Sequence, residues 1–238
     1  MMVKSSIEQT IADNLSYIRE EMTKACFSAG RPDDAVQLLA VTKTVSPEKI
    51  NAAIRLGIRQ IGENRVQEFL KKKDDLELET VQAHLIGHLQ TNKVRQIVGQ
   101  VDLIQSVDSL RLAVAISDAS IKLGIVTPVF IEVNIGGEVA KSGIAPDDLE
   151  CLLEQVSPLQ GIRVKGLMTV PPIFDEEYKK REIFSKMYQL FVDIKSKKID
   201  NIDMQELSMG MSGDYREAIL EGATIVRIGS AIFGQRQY

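Results

Sequence analysis

The feature that most constrains the fold of this chain is a regular alternation of short apolar runs with helical segments. Runs rich in Val, Ile and Leu are each followed by a helical pattern, which is typical of βα units and a parallel sheet. The predicted strands are Val36–Val41, Ile58–Ile61, Val81–Ile86, Asp102–Ser106, Pro128–Val133, Ile162–Leu167, Met204–Leu207 and Thr224–Ile228.

Eight predicted strands favour a closed (β/α)8 barrel of the TIM type, in the α/β class. Such a barrel takes about 250 residues, so the 238 residues of this chain fit a single domain spanning residues 1–238. An open doubly wound sheet is the alternative, because it gives a similar alternation, usually with fewer strands.

An extra helix is predicted before the first strand. From Ser6 to Ala29 apolar residues recur at spacings of three and four, and Gly30 to Pro32 then stop the helix. The other predicted helical stretches lie near Pro47–Leu56, Arg65–Lys73, Thr91–Val98, Asp108–Leu123, Pro146–Val156, Asp175–Lys197 and Gly213–Leu220.

The composition argues against several classes of protein. The net charge is −4, from 29 basic and 33 acidic residues, whereas binding to nucleic acid or an anionic membrane needs a basic face. No stretch is long and apolar enough for a membrane span, and no signal peptide is visible. Cys26 and Cys151 are far apart in the sequence, which is typical of thiols in a reducing cytoplasm. We therefore expect a cytoplasmic protein that binds neither nucleic acid nor membranes.

Two segments near the C-terminus are rich in Gly and Ser. Leu207–Asp214 and Val226–Ser230 each place these residues after an apolar run and before a helical pattern. Backbone N–H groups and hydroxyls presented in this way bind phosphate at a helix N-terminus. Because the last two strand-to-helix loops of an α/β barrel often form a phosphate site, the two segments predict one.

Lys43 follows the first predicted strand and is the candidate covalent anchor. A lysine in a partly desolvated cup exposes the amine that attacks an aldehyde. Together with the phosphate site, Lys43 predicts a phosphorylated aldehyde held as a Schiff base. Lys165, inside the sixth predicted strand, is a rival, and it would suit a Schiff-base aldolase acting on a sugar phosphate.

Polar residues stand at nearly every predicted strand end, where the active site of such a barrel lies. A helix-capping role explains any one of them about as well. His84 and His88 are four residues apart in an extended run, which separates their side chains by about 13 Å. We therefore expect no metal site, a core position for His84, and a loop position from which His88 can stack on a flat ring.

Six segments of the chain resemble one protein family, and together they extend over nearly the whole sequence. They are Ala40–Thr44, Ile61–Glu68, His84–Lys93, Gly166–Thr169, Leu207–Ser212 and Arg227–Gly234. The family is the pyridoxal phosphate homeostasis proteins, which are single-domain relatives of the alanine racemase barrel. The resemblance implies the same barrel and pyridoxal 5′-phosphate as the cofactor.

The resemblance also implies a role for individual residues. Lys43 is expected to form the Schiff base with the cofactor, and Arg227 is expected to face the pyridine nitrogen. The cofactor phosphate is expected to contact the hydroxyls of Ser208 and Ser212 and the backbone of Gly210, Gly229 and Ser230. The ring is expected to be lined by Asn64, His88 and Met168.

Two arguments predict a carrier rather than an enzyme, with no catalytic residues. An arginine against the pyridine nitrogen disfavours its protonation, so the ring becomes a poorer electron sink. A racemase also needs a second base on the opposite face of the substrate carbon. In the racemase relatives an additional β domain supplies that base. In this sequence ten residues follow Ile228, too few for such a domain, so we expect no second base.

We therefore expect a non-catalytic protein of cofactor homeostasis, which stores, delivers or protects pyridoxal phosphate. A weak amino-acid racemase or lyase that uses the same cofactor is the alternative. The expected partners are pyridoxal phosphate and apo-enzymes that depend on it. The resemblance implies a monomer, because the family lacks the dimer-forming domain of the racemases.

Overall fold

A computed structural model describes residues 2–138 and 141–234 of this chain. Its centre is a closed barrel of eight parallel strands in sequence order, in which β8 pairs with β1. The predicted barrel is confirmed, and the open doubly wound sheet is excluded. The strands are β1 (Gln37–Val41), β2 (Gln60–Glu63), β3 (Gln82–Leu85), β4 (Leu103–Val107), β5 (Thr127–Glu132), β6 (Ile162–Met168), β7 (Ile202–Met211) and β8 (Ile225–Ile228).

Helices surround the barrel near each stretch that the sequence predicts as helical, and one further short helix, Ser230–Phe233, follows β8. Short 3₁₀ turns at Lys73–Asp75, Thr91–Lys93 and Pro146–Asp148 adjoin three of them. Local sequence explains the helix ends: Pro47 occupies the first turn of one helix, and Gly124 ends another in the left-handed conformation. The α-helices are α1 (Met2–Ser28), α2 (Pro47–Arg55), α3 (Val66–Lys72), α4 (Val94–Ile97), α5 (Leu110–Leu123), α6 (Leu149–Val156), α7 (Glu177–Lys197), α8 (Tyr215–Leu220) and α9 (Ser230–Phe233).

The N-terminal helix α1 packs along the outside of the barrel beside α8 and α9. Ile11, Leu15 and Ile18 are almost completely buried, at the spacing of one helical face. Asn14 Nδ2 donates a hydrogen bond of 2.9 Å to the carbonyl of Ile232 in α9. Helix α1 therefore supports the loop and helix that follow β8. Among the described residues, no helix combines the length and apolar character needed to cross a membrane.

Two apolar layers hold the fold together. The larger lies between the barrel and its helices, and a smaller one fills the barrel interior. The interior layer consists of Leu39, Leu103, Phe130, Met168 and Ile225. Because side chains alternate along a strand, the positions two residues after Leu39 and Ile225 also face the interior. These positions are Val41 and Arg227.

Strand β7 is longer than the sequence predicts. It continues past Leu207 to Met211, because Ser208 and Met211 pair with Ile225 and Arg227 of β8. The register shifts between these two pairs, so β7 carries one extra residue there, as in a β-bulge. The Gly and Ser residues that predict a loop thus begin inside the strand.

Candidate functional site

Lys43 lies in a tight turn directly after β1, at the C-terminal end of the barrel. The backbone N–H of Val45 donates a hydrogen bond of 3.0 Å to the carbonyl of Thr42, so Lys43 and Thr44 form the two central residues of this turn. Thr44 has a φ of 62°, in the left-handed region that β-branched residues rarely adopt. The turn thus places Lys43 at the corner between β1 and α2.

The two predicted phosphate loops meet at the same end of the barrel. Ser212 follows β7, and its Oγ accepts a hydrogen bond of 3.3 Å from the backbone N–H of Gly229, which follows β8. Ser230 is the first residue of α9. The N–H groups in the first turn of a helix have no acceptor within that helix and are available to an anion.

One cavity of about 350 Å³ joins Lys43 to these loops. Of the ten residues predicted for the site, Lys43, Gly229 and Ser230 line it, together with Ser46, Lys49 and Phe233 among others. A Cβ on Gly229 would lie 3.2 Å from both the Cβ and the carbonyl oxygen of Val41. Glycine therefore lets the loop after β8 approach β1 closely, which brings the amine-bearing turn and the Gly–Ser loop together.

Arg227 lies inside the barrel mouth and is 3 % exposed. Its Nη1 donates to Ser208 Oγ and its Nη2 to the carbonyl of Thr169, both at 2.7 Å. Burial lowers the pKa of Arg227 to about 10, and the guanidinium still carries its charge at neutral pH. The site therefore contains a fixed, buried cation.

Ser208 connects Arg227 to a chain of buried hydrogen bonds. Ser208 Oγ donates to Gln105 Oε1 at 2.7 Å, and Gln105 Nε2 lies 2.9 Å from Nδ1 of His84. Burial lowers the pKa of His84 to about 4, so this imidazole is neutral and can accept the Gln105 amide proton. His84 is buried in the core, as the sequence predicts.

Ser208, for which a phosphate contact is predicted, lies in the interior of the barrel. Its side chain is completely buried, and its hydroxyl is engaged as both donor and acceptor. The reason is that Ser208 still belongs to β7 and faces the interior beside Arg227. Ser212, which lies beyond the end of β7, remains at the loop surface and contacts Gly229.

An acidic side chain that the sequence analysis does not select lies in the same mouth. Glu132 ends β5 and is 7 % exposed. Burial, with a smaller contribution from the nearby Asp108 carboxylate, raises the pKa of Glu132 to about 7, and Arg227 opposes this rise. Asp108 also lies 3.4 Å from Nδ1 of His88, whose side chain is about half exposed.

The remaining predicted residues occupy separate positions around the mouth. Met168 is completely buried in the interior apolar layer, at the end of β6. Asn64 follows β2, and its buried Oδ1 has no hydrogen-bond partner among the described residues. Gly210 lies within β7 with a φ of 91°, and a Cβ there would lie 2.5 Å from that of Ala218. Glycine at this position therefore keeps β7 close to α8.

Lys165 lies away from the loops that carry the candidate site. Its Nζ forms an ion pair of 2.9 Å with Asp203, the second residue of β7. The beginning of a barrel strand lies at the end opposite to the βα loops. This position argues against Lys165 as the anchor of a phosphorylated aldehyde.

Gln105, Glu132 and Thr169 are the residues of the mouth that sequence reasoning missed. Gln105 and Glu132 stand within predicted strands and Thr169 lies two residues after one, and a polar residue next to apolar ones is the available signal. Within residues 2–138 and 141–234, no group of three or more His, Cys, Asp and Glu side chains is placed to hold a metal ion.

Comparison with known proteins shows the family of this chain. The family described as alanine racemase, N-terminal domain, matches residues 9–237. A pyridoxal phosphate homeostasis protein from Aquifex aeolicus is 44% identical over 226 residues, which cover 95% of this chain and 98% of that protein.

Solved structures show the same relationship. A protein described as unknown from Bifidobacterium adolescentis is 38% identical, with a TM-score of 0.92 and coverage of 96% of both chains. The structure of PipY from Synechococcus elongatus with PLP bound is 33% identical, with a TM-score of 0.83, and the match covers 94% of this chain and 100% of PipY. The chain belongs to the alanine racemase N-terminal domain family and, within it, to the pyridoxal phosphate homeostasis proteins.

Proposed function

We propose that this chain binds pyridoxal 5′-phosphate, holds it as a Schiff base on Lys43, and acts in cofactor homeostasis without turning over a substrate. The observation that carries the proposal is the cavity shared by Lys43, Gly229 and Ser230. It places a primary amine beside a Gly–Ser loop at a helix start, which suits an aldehyde that also carries a phosphate. The curated relative from Aquifex aeolicus and the PLP-bound structure of PipY support the identity of the ligand.

The residues around the mouth fit this cofactor. The buried Oδ1 of Asn64 has no partner among the described residues and can contact a polar group of the ring. Arg227 is a buried cation whose protons can point to the pyridine nitrogen. When bound, the cofactor supplies an aldehyde that condenses reversibly with primary amines.

The roles of individual residues follow from their positions. Ser212, Ser230 and the backbone of Gly210 and Gly229 receive the phosphate, and Ser208 holds Arg227 in place. Arg227 keeps the pyridine nitrogen unprotonated, while His88, Asn64 and Met168 border the ring. This division assigns Ser208 to support of the cation, which is the part that its hydrogen bonds favour.

The cellular role that we propose is storage, delivery or protection of the cofactor in the cytoplasm. Residues 1–238 would act as one domain and as a monomer, and apo-enzymes that need pyridoxal phosphate would receive it. The curated relative from Aquifex aeolicus is named for cofactor homeostasis and not for a reaction.

Reductive trapping tests the assignment of Lys43. Protein loaded with pyridoxal phosphate is reduced with borohydride, digested and mapped by mass spectrometry. We expect the pyridoxyl group on Lys43 in the wild type and in Lys49→Met, and no label at the site in Lys43→Met. Lys49 is a matched control because it lines the same cavity. Label on Lys49 or Lys165 of the wild type would contradict the proposal.

A further inference from the structure

Three charged side chains meet beneath the turn that carries Lys43. Glu63 ends β2, whereas Glu68 and Lys72 lie one helical turn apart on α3. Lys72 forms an ion pair with Glu63 and another, of 3.2 Å, with Glu68. The side chains of Lys72 and Glu63 are 9% and 1% exposed, so these two members of the charged cluster are buried between the barrel and α3.

Each member of the charged cluster also contacts the turn. Thr42 Oγ1 donates a hydrogen bond of 2.5 Å to Glu63 Oε1, and Lys72 Nζ donates one of 2.8 Å to the Thr42 carbonyl. On the other side of Lys43, the backbone N–H of Thr44 donates one of 2.5 Å to Glu68 Oε1. The cluster therefore holds the residues on both sides of Lys43.

The conformation that the cluster holds is a strained one. Thr44 occupies the third position of the turn with a φ of 62°, where glycine or asparagine is the usual residue. Strained backbone of this kind persists only where the surrounding structure enforces it, and such sites concentrate around function. The hydrogen bond from Thr44 to Glu68 is a contact that enforces it directly.

Packing alone gives no reason to bury these charges. A buried ion pair stabilises a fold weakly, because desolvation cancels much of the attraction. Here burial raises the pKa of Glu63, while Lys72 and Thr42 oppose the rise. The desolvation cost of burying these charges is explained if the cluster fixes a particular geometry of the turn.

We propose that Glu68 and Lys72, oriented by Glu63, are positioning residues that fix the turn at Thr42–Val45 and direct the amine of Lys43 toward the cofactor aldehyde. This inference rests on the proposed function, in which Lys43 forms the Schiff base. It assigns the cluster to covalent capture of the cofactor and not to recognition of its phosphate or ring.

Two ligands separate positioning from general damage to the site. Pyridoxal 5′-phosphate carries the aldehyde, whereas pyridoxine 5′-phosphate carries an alcohol and binds without a covalent bond. In Glu68→Ala we expect the affinity for pyridoxal phosphate to fall about tenfold, as for a lost hydrogen bond to a charged group. Affinity for pyridoxine phosphate should stay within about twofold, a change that lies inside the usual scatter for a surface substitution.

Matched variants make the test specific. Glu68→Gln keeps an oxygen that accepts the Thr44 N–H, so it should restore most of the lost affinity. Glu182→Ala is the control for loss of a helical Glu–Lys pair, because Glu182 and Lys186 are paired at the same spacing on α7. We choose Glu68 rather than Lys72 for substitution because the Glu68 side chain is 25% exposed, whereas that of Lys72 is 9% exposed. Thermal unfolding of each variant checks that the variant is folded.

A second background tests the role of strain. Thr44→Gly removes the steric penalty of the left-handed conformation, so Glu68→Ala should cost less affinity for pyridoxal phosphate in this background than in the wild type. An equal loss in both backgrounds, or an equal loss for both ligands in Glu68→Ala, would overturn the positioning role. Unchanged binding of pyridoxal phosphate in Glu68→Ala would overturn it as well.

The two proposals fail in different ways. If borohydride trapping of the wild type labels a residue other than Lys43, the proposed function fails. If Lys43 is labelled and the Glu68 variants bind pyridoxal phosphate like the wild type, the positioning role alone fails.

Discussion

Arg227 and Ser208 are joined inside the barrel by a hydrogen bond of 2.7 Å from Nη1 to Oγ. The same hydroxyl donates to Gln105, so both hydrogen-bonding functions of Ser208 are engaged. Direct contact with a phosphate would require breaking one of these bonds. Within the part of the chain that the structure describes, Ser212 in the loop after β7 and Ser230 at the start of α9 have no such connection to the barrel interior.

The first prediction distinguishes the role of Ser208 from that of Ser230. Ser208→Ala leaves the buried Gln105 oxygen without its donor, so we expect the free energy of unfolding to fall by about 1–3 kcal/mol. Binding of pyridoxal and of pyridoxal phosphate should weaken alike. Ser230→Ala should leave stability within about 0.5 kcal/mol and weaken pyridoxal phosphate selectively. Titrations with pyridoxal and pyridoxal phosphate measure binding, and urea unfolding measures stability. A selective loss of affinity for pyridoxal phosphate in Ser208→Ala would instead support the phosphate contact predicted for Ser208.

The second prediction concerns the charge of Arg227. Replacement by glutamate puts an acidic group where the proposal places the pyridine nitrogen, so the ring should become protonated. We expect a changed absorbance spectrum of the bound cofactor and weaker binding. Arg227→Gln removes the cation without adding an anion and serves as the control. Identical spectra of the wild type and Arg227→Glu over a pH series would show that Arg227 does not face the nitrogen.

The third prediction compares Gly210 in β7 with Gly213 in the loop that follows this strand. Gly210→Ala introduces a Cβ at a φ of 91°, only 2.5 Å from the Cβ of Ala218. We expect a loss of about 2–4 kcal/mol in unfolding free energy, from left-handed strain together with overpacking. At Gly213 a Cβ meets nothing within 4 Å, so Gly213→Ala should be nearly neutral. Urea unfolding measures the stability of both variants. Equal stabilities would contradict the prediction and would show that β7 and α8 separate enough to admit the added Cβ.

The fourth prediction is a pH dependence of stability from Glu132. Its folded pKa is raised to about 7 from 4.5, so between these values the folded state binds more protons than the unfolded state. Stability should therefore fall as pH rises through this window, by an amount on the order of 3 kcal/mol. Glu132→Gln removes this contribution.

His84 acts in the opposite direction, which decides the design of that measurement. Its folded pKa is lowered to about 4 from 6.5, so its contribution rises with pH between these values. Wild type and Glu132→Gln share His84, and the difference between their urea unfolding energies isolates Glu132. A difference that stays constant from acid to neutral pH would contradict the raised pKa.

The fifth prediction concerns catalysis. Wild-type protein loaded with pyridoxal phosphate and mixed with L-alanine in deuterated water should show no sustained exchange of the α-proton. The reason is that Arg227, in the proposed position against the pyridine nitrogen, would disfavour a protonated ring and make it a poor electron sink. Lys43→Ala serves as the control for exchange by free cofactor. Rapid multiple-turnover exchange that depends on Lys43 would make the protein an enzyme.

The sequence contains the information for the strand count and for the location of the cavity. Apolar runs alternating with helical patterns predict the barrel, because each βα unit must bury one face against the sheet. Lys43, Gly229 and Ser230 are also predictable, since residues that follow parallel strands gather at one end of a barrel. The structure confirms the barrel and places these three residues around one cavity.

Which side chains face the interior was decided by tertiary structure alone. Strict alternation would put Ser208 and Ser212 on the same face, but the extra residue in β7 between Ser208 and Met211 breaks that alternation. Ser208 therefore supports Arg227 in the interior while Ser212 remains in the loop. The cluster of Glu63, Glu68 and Lys72 likewise depends on how α3 packs against β1 and β2. Local periodicity fixes the type and order of the elements, whereas bulges and packing fix which residues meet, because those contacts join positions far apart in the chain.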